Sequence, residues 1–479
     1  MGEAQVKFLG RGSGRRVHVA MKTRRCFTGI VAALVVALAR SSLAETSIPA
    51  TASVSITPSG VSSNRVTVLD PANRVWIVQG STNLADWSEI GSWKIHNGTF
   101  HRSLERPTGD TLFYRALSDP ARQDLFSTTA EALGLPATPF NYATPTLPAG
   151  YLNPQVTGQN NTPPNNVVTD AGSTLGRALF YDKRLSTNGT VSCSSCHQPQ
   201  AGFSDPRKFS VGFNGGLTGR NSMGLSNARY YQRGRFFWDE RAATLEDQVL
   251  QPIQNAVEMG MTLPALVTRL SAEPFYTNLF ARTFGTTNVT TNRISLALAQ
   301  FIRSMVSTQT KYDVGAASGF VNFTAQENLG RQIFVGQVGN ATCAGCHSTD
   351  TFSAPNIFNN GLEFPLVDRG VGAITGRAQD EGLFKTPSLR NIALTAPYMH
   401  DGRFATLEDV VEFYNSGVVD NPNLGPALRN PPGQGPPGSI RRLNLTVQQK
   451  AALVAFLKTL TDTALVTDPK FSDPFNYGD

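Results

Sequence analysis

The sequence predicts a mainly α-helical protein, two copies of one helical module preceded by a small all-β sandwich. Three observations carry that expectation. The pentapeptides "CSSCH" (193–197) and "CAGCH" (343–347) hold four of the five cysteines. Helical patterning around them recurs: "LGRALF" at 175–180 answers "LGRQIF" at 329–334, and "WDERAATLEDQV" at 238–249 answers "HDGRFATLEDVV" at 400–411. Such self-similarity at a long period marks a duplicated unit. Ahead of both, residues 50–118 alternate apolar and polar positions, the period of a half-buried strand.

Taken in order, residues 1–44 read as an export leader. Met21 to Arg25 is basic, Gly29 to Ala39 is apolar, and Ser42-Leu43-Ala44 offers a small-residue cleavage site. The apolar run is too short to span a bilayer, so a periplasmic protein without stable membrane insertion is expected. The leader also accounts for the formal charge of +7. It holds eight basic residues and one acid, which leaves 34 basic (42 less eight) and 34 acidic (35 less one) residues beyond it. A mature chain without net charge gives no reason to expect nucleic acid as a partner.

Residues 45–118 form the expected β-sandwich, with turn signals at Pro58-Ser59-Gly60, Asp70-Pro71 and Asn97-Gly98. His96 and His101 in this module read as surface or turn histidines. Residues 119–170, rich in Pro, Thr, Asn and Gly, read as an extended connector. Two helical domains follow at 171–316 and 317–465, then a tail at 466–479. Thr324 with Glu327, and Thr446 with Gln449, have the spacing of capping boxes. Leu453, Val454, Leu457 and Leu460 lie on one face of the last helix and are expected in the core.

The pentapeptides carry the chemistry. In C-x-x-C-H two thiols add across the vinyl groups of haem, and the adjacent imidazole takes the iron from the same side. A zinc site would need further Cys or His ligands of suitable spacing, and beyond the leader no other Cys exists. A thioredoxin-like C-x-x-C does not require the His, nor a second copy. Cys193, Cys196 and His197 are therefore expected to hold one covalent haem c, and Cys343, Cys346 and His347 a second. The two helical domains accordingly read as class I cytochrome c-like haem domains. Among the six His, setting aside those in the leader and the β-module leaves only His400 for an opposite face, and no Met follows residue 399. At least one iron is expected to have an open or unusual sixth position.

Two longer stretches, "GRFFWDERAATLEDQVLQPIQNAVEMG" and "FKTPSLRNIALTAPYMHDGRFATLEDVVEFYNSG", closely resemble the bacterial di-haem cytochrome c peroxidase family, including its MauG-like members. The resemblance covers roughly residues 165–465 and excludes the β-module. It implies that the first haem is peroxidatic, with Glu258 of "EMG" as acid–base and Gln248, ten residues after the Trp of the family's "FWDGR", in the peroxide pocket. Cleaving peroxide requires a proton moved from one oxygen to the other, work for one placed carboxylate, and an amide can stabilise the developing charge. Trp238 corresponds to the family's relay between the haems. Asn221, Thr395 and Pro397 match its calcium site, and oxygen-only ligation suits that ion.

Two positions depart from the family's peroxidases and resemble the MauG-like members. Ser204 to Gly234 contains no His to block the first haem, and Tyr414 stands where a Met would ligate the second. A phenolate there would disfavour reduction of that iron. The expected function is reduction of hydrogen peroxide with electrons from a small donor protein of cytochrome c or cupredoxin type. Two alternatives stay open, a MauG-like oxidase of a protein or organic substrate and a non-catalytic electron-transfer cytochrome. The resemblance leaves a homodimer open as well.

Overall fold

The computed structural model describes residues 52–58, 63–105, 113–118, 129–341, 343–353, 356–433, 436 and 438–477. The expected leader lies outside the described residues. The chain divides into two compact units, one of Met1–Ala132 with Asn476–Asp479 and one of Leu133–Phe475.

In the first unit six strands form two antiparallel three-stranded sheets. They are β1 (Ser53–Pro58), β2 (Ser63–Leu69), β3 (Val75–Ser81), β4 (Ser88–Lys94), β5 (Thr99–Glu105) and β6 (Phe113–Ser118), ordered β1-β2-β5 and β4-β3-β6. Alternation decides which face is buried. Along β2, Val66 and Val68 are buried while the alternating Arg65 and Thr67 are not. These valines share one core with Trp76, Val78 and Tyr114 of the other sheet. The buried Asp70 carboxylate accepts the Trp76 indole N–H at 2.8 Å and the Arg74 guanidinium at 2.8 Å, so the buried charge is paired. His96, expected at the surface or in a turn, lies in the bend after β4 yet is only 3% exposed. Its bend is drawn inward because Gly98 N–H donates to the buried Asn73 side chain and Asp70 N–H donates to Gly98 O.

The second unit is built on two helix pairs. Helix α1 (Asp170–Tyr181) packs on α3 (Thr291–Ser304), and α4 (Ala325–Phe334) on α6 (Val447–Lys458); between them in sequence lie the short α2 (Leu245–Gln248) and α5 (Leu407–Glu412). Each pair approaches through a glycine of the repeated "LGR" motif. A Cβ on Gly176 would stand 2.0 Å from Ala297 O and 2.7 Å from Phe301 Cβ, and one on Gly330 would stand 1.9 Å from Ala452 O and 2.8 Å from Phe456 Cβ. Only glycine allows either contact. Thr169 caps α1 through Gly172 N–H, and capping boxes at Thr324/Glu327 and Thr446/Gln449 start α4 and α6. Leu453, Val454, Leu457 and Leu460 are all buried.

The segments flanking these helices are integral to the unit. In the stretch read as a connector, Tyr142 and Tyr151 are buried, their hydroxyls donating to Lys470 O and Ser307 O. In the stretch read as a tail, Phe471 is buried against Phe203 and Phe301. No helix among the described residues is long and apolar enough to cross a membrane.

Candidate active site

Two large cavities open inside the second unit. Cavity one is lined by Cys193, Cys196, His197, Gln248 and Glu258, and cavity two by Cys343, Cys346, His347, Met399, His400 and Tyr414. Trp238, Asn221 and Lys385 line both. The sequence motifs, scattered over more than two hundred residues, thus converge on two cavities with a common wall.

The donor sets suit haem. Each C-x-x-C-H begins on a 3-10 turn, Cys193–Ser195 and Cys343–Gly345, which brings both thiols and the following imidazole toward one cavity. His197 Nδ1 lies 3.0 Å from Phe203 O and His347 Nδ1 3.3 Å from Phe352 O. A backbone carbonyl on Nδ1 fixes the tautomer and leaves Nε2 to bind iron. Burial lowers the pKa of both imidazoles, that of His347 to about 4, so both are neutral and ready to ligate. Burial likewise pushes the thiols up, to about 12 for Cys193 and Cys343 and about 11 for Cys196 and Cys346. The cavities measure about 620 Å³ for cavity one and about 260 Å³ for cavity two.

In cavity one, α2 ends at Gln248, and the turn after a further short helix, Gln251–Gln254, delivers Glu258. Thr244 starts α2 by accepting from Asp247 N–H, and Asn255 Oδ1 accepts Val257 N–H to shape the loop before Glu258. Among the described residues the Glu258 carboxylate makes no ion pair. Burial raises its pKa, opposed by the charge of Arg241, so it holds a proton at higher pH than a solvated carboxyl does. The Gln248 amide makes no hydrogen bond to other described side chains or backbone.

In cavity two the helix α5 runs into a π-helical turn, Phe413–Gly417, that carries Tyr414. Such turns are frequent at functional sites. Asn360 Nδ2 donates to Tyr414 Oη at 3.4 Å and contacts Met399 Sδ at 3.5 Å, so a phenol and a thioether flank one amide. Burial raises the Tyr414 pKa to about 12; a phenolate would require the charge of a bound iron.

Trp238 is pinned in the common wall by its indole N–H donating to Asn221 O at 2.9 Å, and it meets His400 edge-on at 6.4 Å. Thr395 and Pro397 line cavity two together with Asn221. The Asn221 amide donates to Arg207 O and Lys208 O, which leaves its Oδ1 without a donor among the described residues. A cation held by Asn221, Thr395 and Pro397 would rest on neutral amide, hydroxyl and carbonyl oxygens.

One group escaped the sequence reading. Tyr231, Glu240, Arg233 and Lys385 surround the wall of cavity one. The Tyr231 hydroxyl donates to Glu240, Arg233 grips the same carboxylate through Nε at 2.7 Å and Nη2 at 2.7 Å, and Lys385 Nζ sits 4.4 Å from the Tyr231 ring centroid. The signal was present in the repeat. "WDER" aligns Glu240 with Gly402 of "HDGR", and both positions have positive φ, 54° and 62°. A left-handed glutamate costs about 1–3 kcal/mol where glycine costs nothing.

Comparisons with known proteins agree with this geometry. The family profile described as di-haem cytochrome c peroxidase matches residues 170–318. The chain is 34% identical over 311 residues to the methylamine utilization protein MauG of Methylorubrum extorquens, covering 64% of this chain and 83% of that protein. It is 35% identical over 299 residues to the cytochrome c551 peroxidase of Nitrosomonas europaea, covering 60% and 79%. Among solved structures, a MauG-like protein associated with microbial copper homeostasis superposes with a TM-score of 0.58 at 35% identity, covering 70% of this chain and 99% of the other. The chain belongs to the di-haem cytochrome c peroxidase family and is an oxidoreductase of that kind.

Proposed function

We propose that this chain is a periplasmic di-haem peroxidase whose two helical halves are copies of one cytochrome c-like domain. Cys193, Cys196 and His197 hold the haem of cavity one, and Cys343, Cys346 and His347 that of cavity two. Haem so held supplies a redox-active iron that accepts oxidising equivalents in cavity one and passes single electrons in cavity two. The observation that carries the reading is the placement of Glu258 and Gln248 in the same cavity as the first C-x-x-C-H.

The work of the protein side chains follows from that placement. Glu258 takes a proton from one oxygen of hydrogen peroxide and returns it to the departing oxygen, which leaves as water. Burial raises its pKa above that of a solvated carboxyl, which makes it a better proton carrier for both halves of that transfer. Gln248 donates its free amide to the reacting oxygens. Trp238, in the wall common to both cavities, is the side chain through which electrons cross. Tyr414 ligates the second iron, and calcium sits at Asn221, Thr395 and Pro397. A small cytochrome c or cupredoxin is the electron donor. Steady-state peroxide consumption with reduced cytochrome c tests the reading; a protein that binds two haems but consumes no peroxide overturns it.

A second reading, a MauG-like oxidase acting on a protein or organic substrate, is favoured by Tyr414 in cavity two and by the absence of any His from Ser204 to Gly234. It differs in where the oxidising equivalents end. Loss of peroxide without oxidation of the donor protein, but with oxidation of an added substrate, distinguishes it.

A further inference from the structure

The two halves share a backbone frame at the wall between the cavities, which makes one departure from it informative. Asn227 and Asn391 each adopt positive φ, 63° and 64°, and each starts a short 3-10 turn. Asn227 N–H donates to Met305 O and its Oδ1 accepts Ser307 N–H; Asn391 N–H donates to Leu460 O and its Oδ1 accepts Asp462 N–H. Farther on, Phe236 bridges Ala242 and Tyr398 bridges Phe404. Arg241 pairs with Asp239, and Arg403 with Asp401.

Between these anchors the first half is two residues longer. Asn227 precedes Trp238 by eleven residues, whereas Asn391 precedes His400 by nine. The longer loop supplies Tyr231 and Arg233, and their common partner Glu240 stands where the second half has Gly402. The departures from the repeat therefore belong to one assembly. A strained glutamate, a buried phenol and a guanidinium clamp appear together in the half that holds Glu258, and their counterparts are missing from the other.

We propose that Tyr231 is a redox-active tyrosine of cavity one, with Glu240 as its built-in proton acceptor. The inference rests on the reading of cavity one as the peroxide-reacting haem site. Tyr231 is the one tyrosine among the residues lining that cavity, so it borders the space that a haem held by Cys193, Cys196 and His197 would occupy. In the step, the phenol O–H bond breaks. Its electron reduces the peroxide-oxidised haem site by one equivalent, and its proton passes to the Glu240 carboxylate. The products are a neutral tyrosyl radical and a carboxylic acid.

The surroundings require this coupling. Lys385, buried and 4.4 Å from the Tyr231 ring centroid, disfavours a positive charge left on that ring. Electron loss is therefore tied to proton loss. The acceptor is already hydrogen-bonded to the phenol, and Arg233 fixes its orientation from the other side. Tyr231 and Glu240 are each 2% exposed, which shields a radical from solvent.

Freeze-quench paramagnetic resonance of the diferric holoenzyme after hydrogen peroxide tests the proposal, alongside the optical spectrum of the haems. The expected result is an organic radical whose hyperfine structure collapses on incorporation of ring-deuterated tyrosine. Tyr231→Phe should abolish it with both haems still attached, Tyr398→Phe should leave it intact, and Glu240→Gln should slow its formation roughly 10²-fold, the lower range for a lost proton acceptor. A peroxide-dependent optical change with no tyrosyl radical, or with a radical that survives Tyr231→Phe, overturns the inference while leaving the peroxidase reading standing. Haems that do not respond to peroxide at all overturn both.

Discussion

The two halves of the haem-binding unit place the same elements around two cavities and give them different chemistry. A glycine-mediated helix pair, a C-x-x-C-H on a 3-10 turn, an imidazole held by a backbone carbonyl and a left-handed asparagine occur in each. What differs is the lining. Cavity one has Glu258 and Gln248, neither engaged by another described side chain, whereas cavity two has Tyr414 and Met399 on either side of the Asn360 amide. The lesson is that one arrangement of helices, 3-10 turns and carbonyl-held imidazoles can be kept while side chains at a few wall positions give each cavity a different lining.

The largest effect that would break this comparison is on Glu258. Glu258→Gln should slow peroxide cleavage by about 10²–10⁴-fold with no loss of haem, measured by stopped-flow absorbance. The pH profile sharpens the assignment. Because burial raises the Glu258 pKa and proton abstraction needs the ionised form, the acid limb of the rate should lie above the ordinary carboxyl range and vanish in the variant. The same shift has a stability sign. The folded state binds the proton more tightly than the unfolded chain, so ionised Glu258 opposes folding at pH above its titration. At neutral pH the melting temperature of Glu258→Gln should therefore equal or exceed that of the parent.

The shared scaffold is tested next. Gly176→Ala and Gly330→Ala should each destabilise by about 3 kcal/mol, the upper range for overpacking, because the new methyl meets backbone that cannot move aside. Denaturant midpoints that shift for one glycine and not the other would show that the helix pairs are not equivalent. A smaller and purely local effect is expected at cavity two. Tyr414→His should raise the reduction potential of that haem by roughly 0.1 V, a fraction of the ~0.8 V span that axial ligands command. Spectroelectrochemical titration reads it, and unmoved potentials would reduce Tyr414 to a packing role.

The smallest effect makes cavity one more like cavity two. Glu240→Gly relieves a left-handed side chain, worth about 1 kcal/mol, but it leaves the buried Tyr231 hydroxyl without its acceptor, a loss of about 1–3 kcal/mol. A net destabilisation of about 1 kcal/mol is expected in denaturant unfolding. A variant more stable than the parent would mean that the phenol finds another acceptor and that the clamp is dispensable.

Much of this was legible before any coordinates. The haem-binding pentapeptides, both helix repeats and the capping boxes are local signals, because covalent attachment, close helix packing and helix initiation each demand particular residues at fixed short spacing. Glu258 and Gln248 were reachable through resemblance. The β-module was legible from alternation, but the burial of His96 was not, since it depends on hydrogen bonds between two separate turns. The packing of Tyr142 and Phe471 was also hidden, because both lie in stretches whose composition reads as loop.

By itself the sequence determined the cofactor chemistry, the duplication it suggests and the order of modules, since these are written in residue type and spacing. Tertiary structure alone decided which distant residues share a cavity. It put Trp238 and Lys385 in a common wall, and it joined Tyr231, Arg233 and Glu240 around one carboxylate. The physical reason is that a buried charge or a strained backbone is tolerated only where specific partners arrive to satisfy it. Those partners come from the longer loop of the first half and from Lys385, far along the chain; the repeat marks Glu240 as unusual but does not say what meets it.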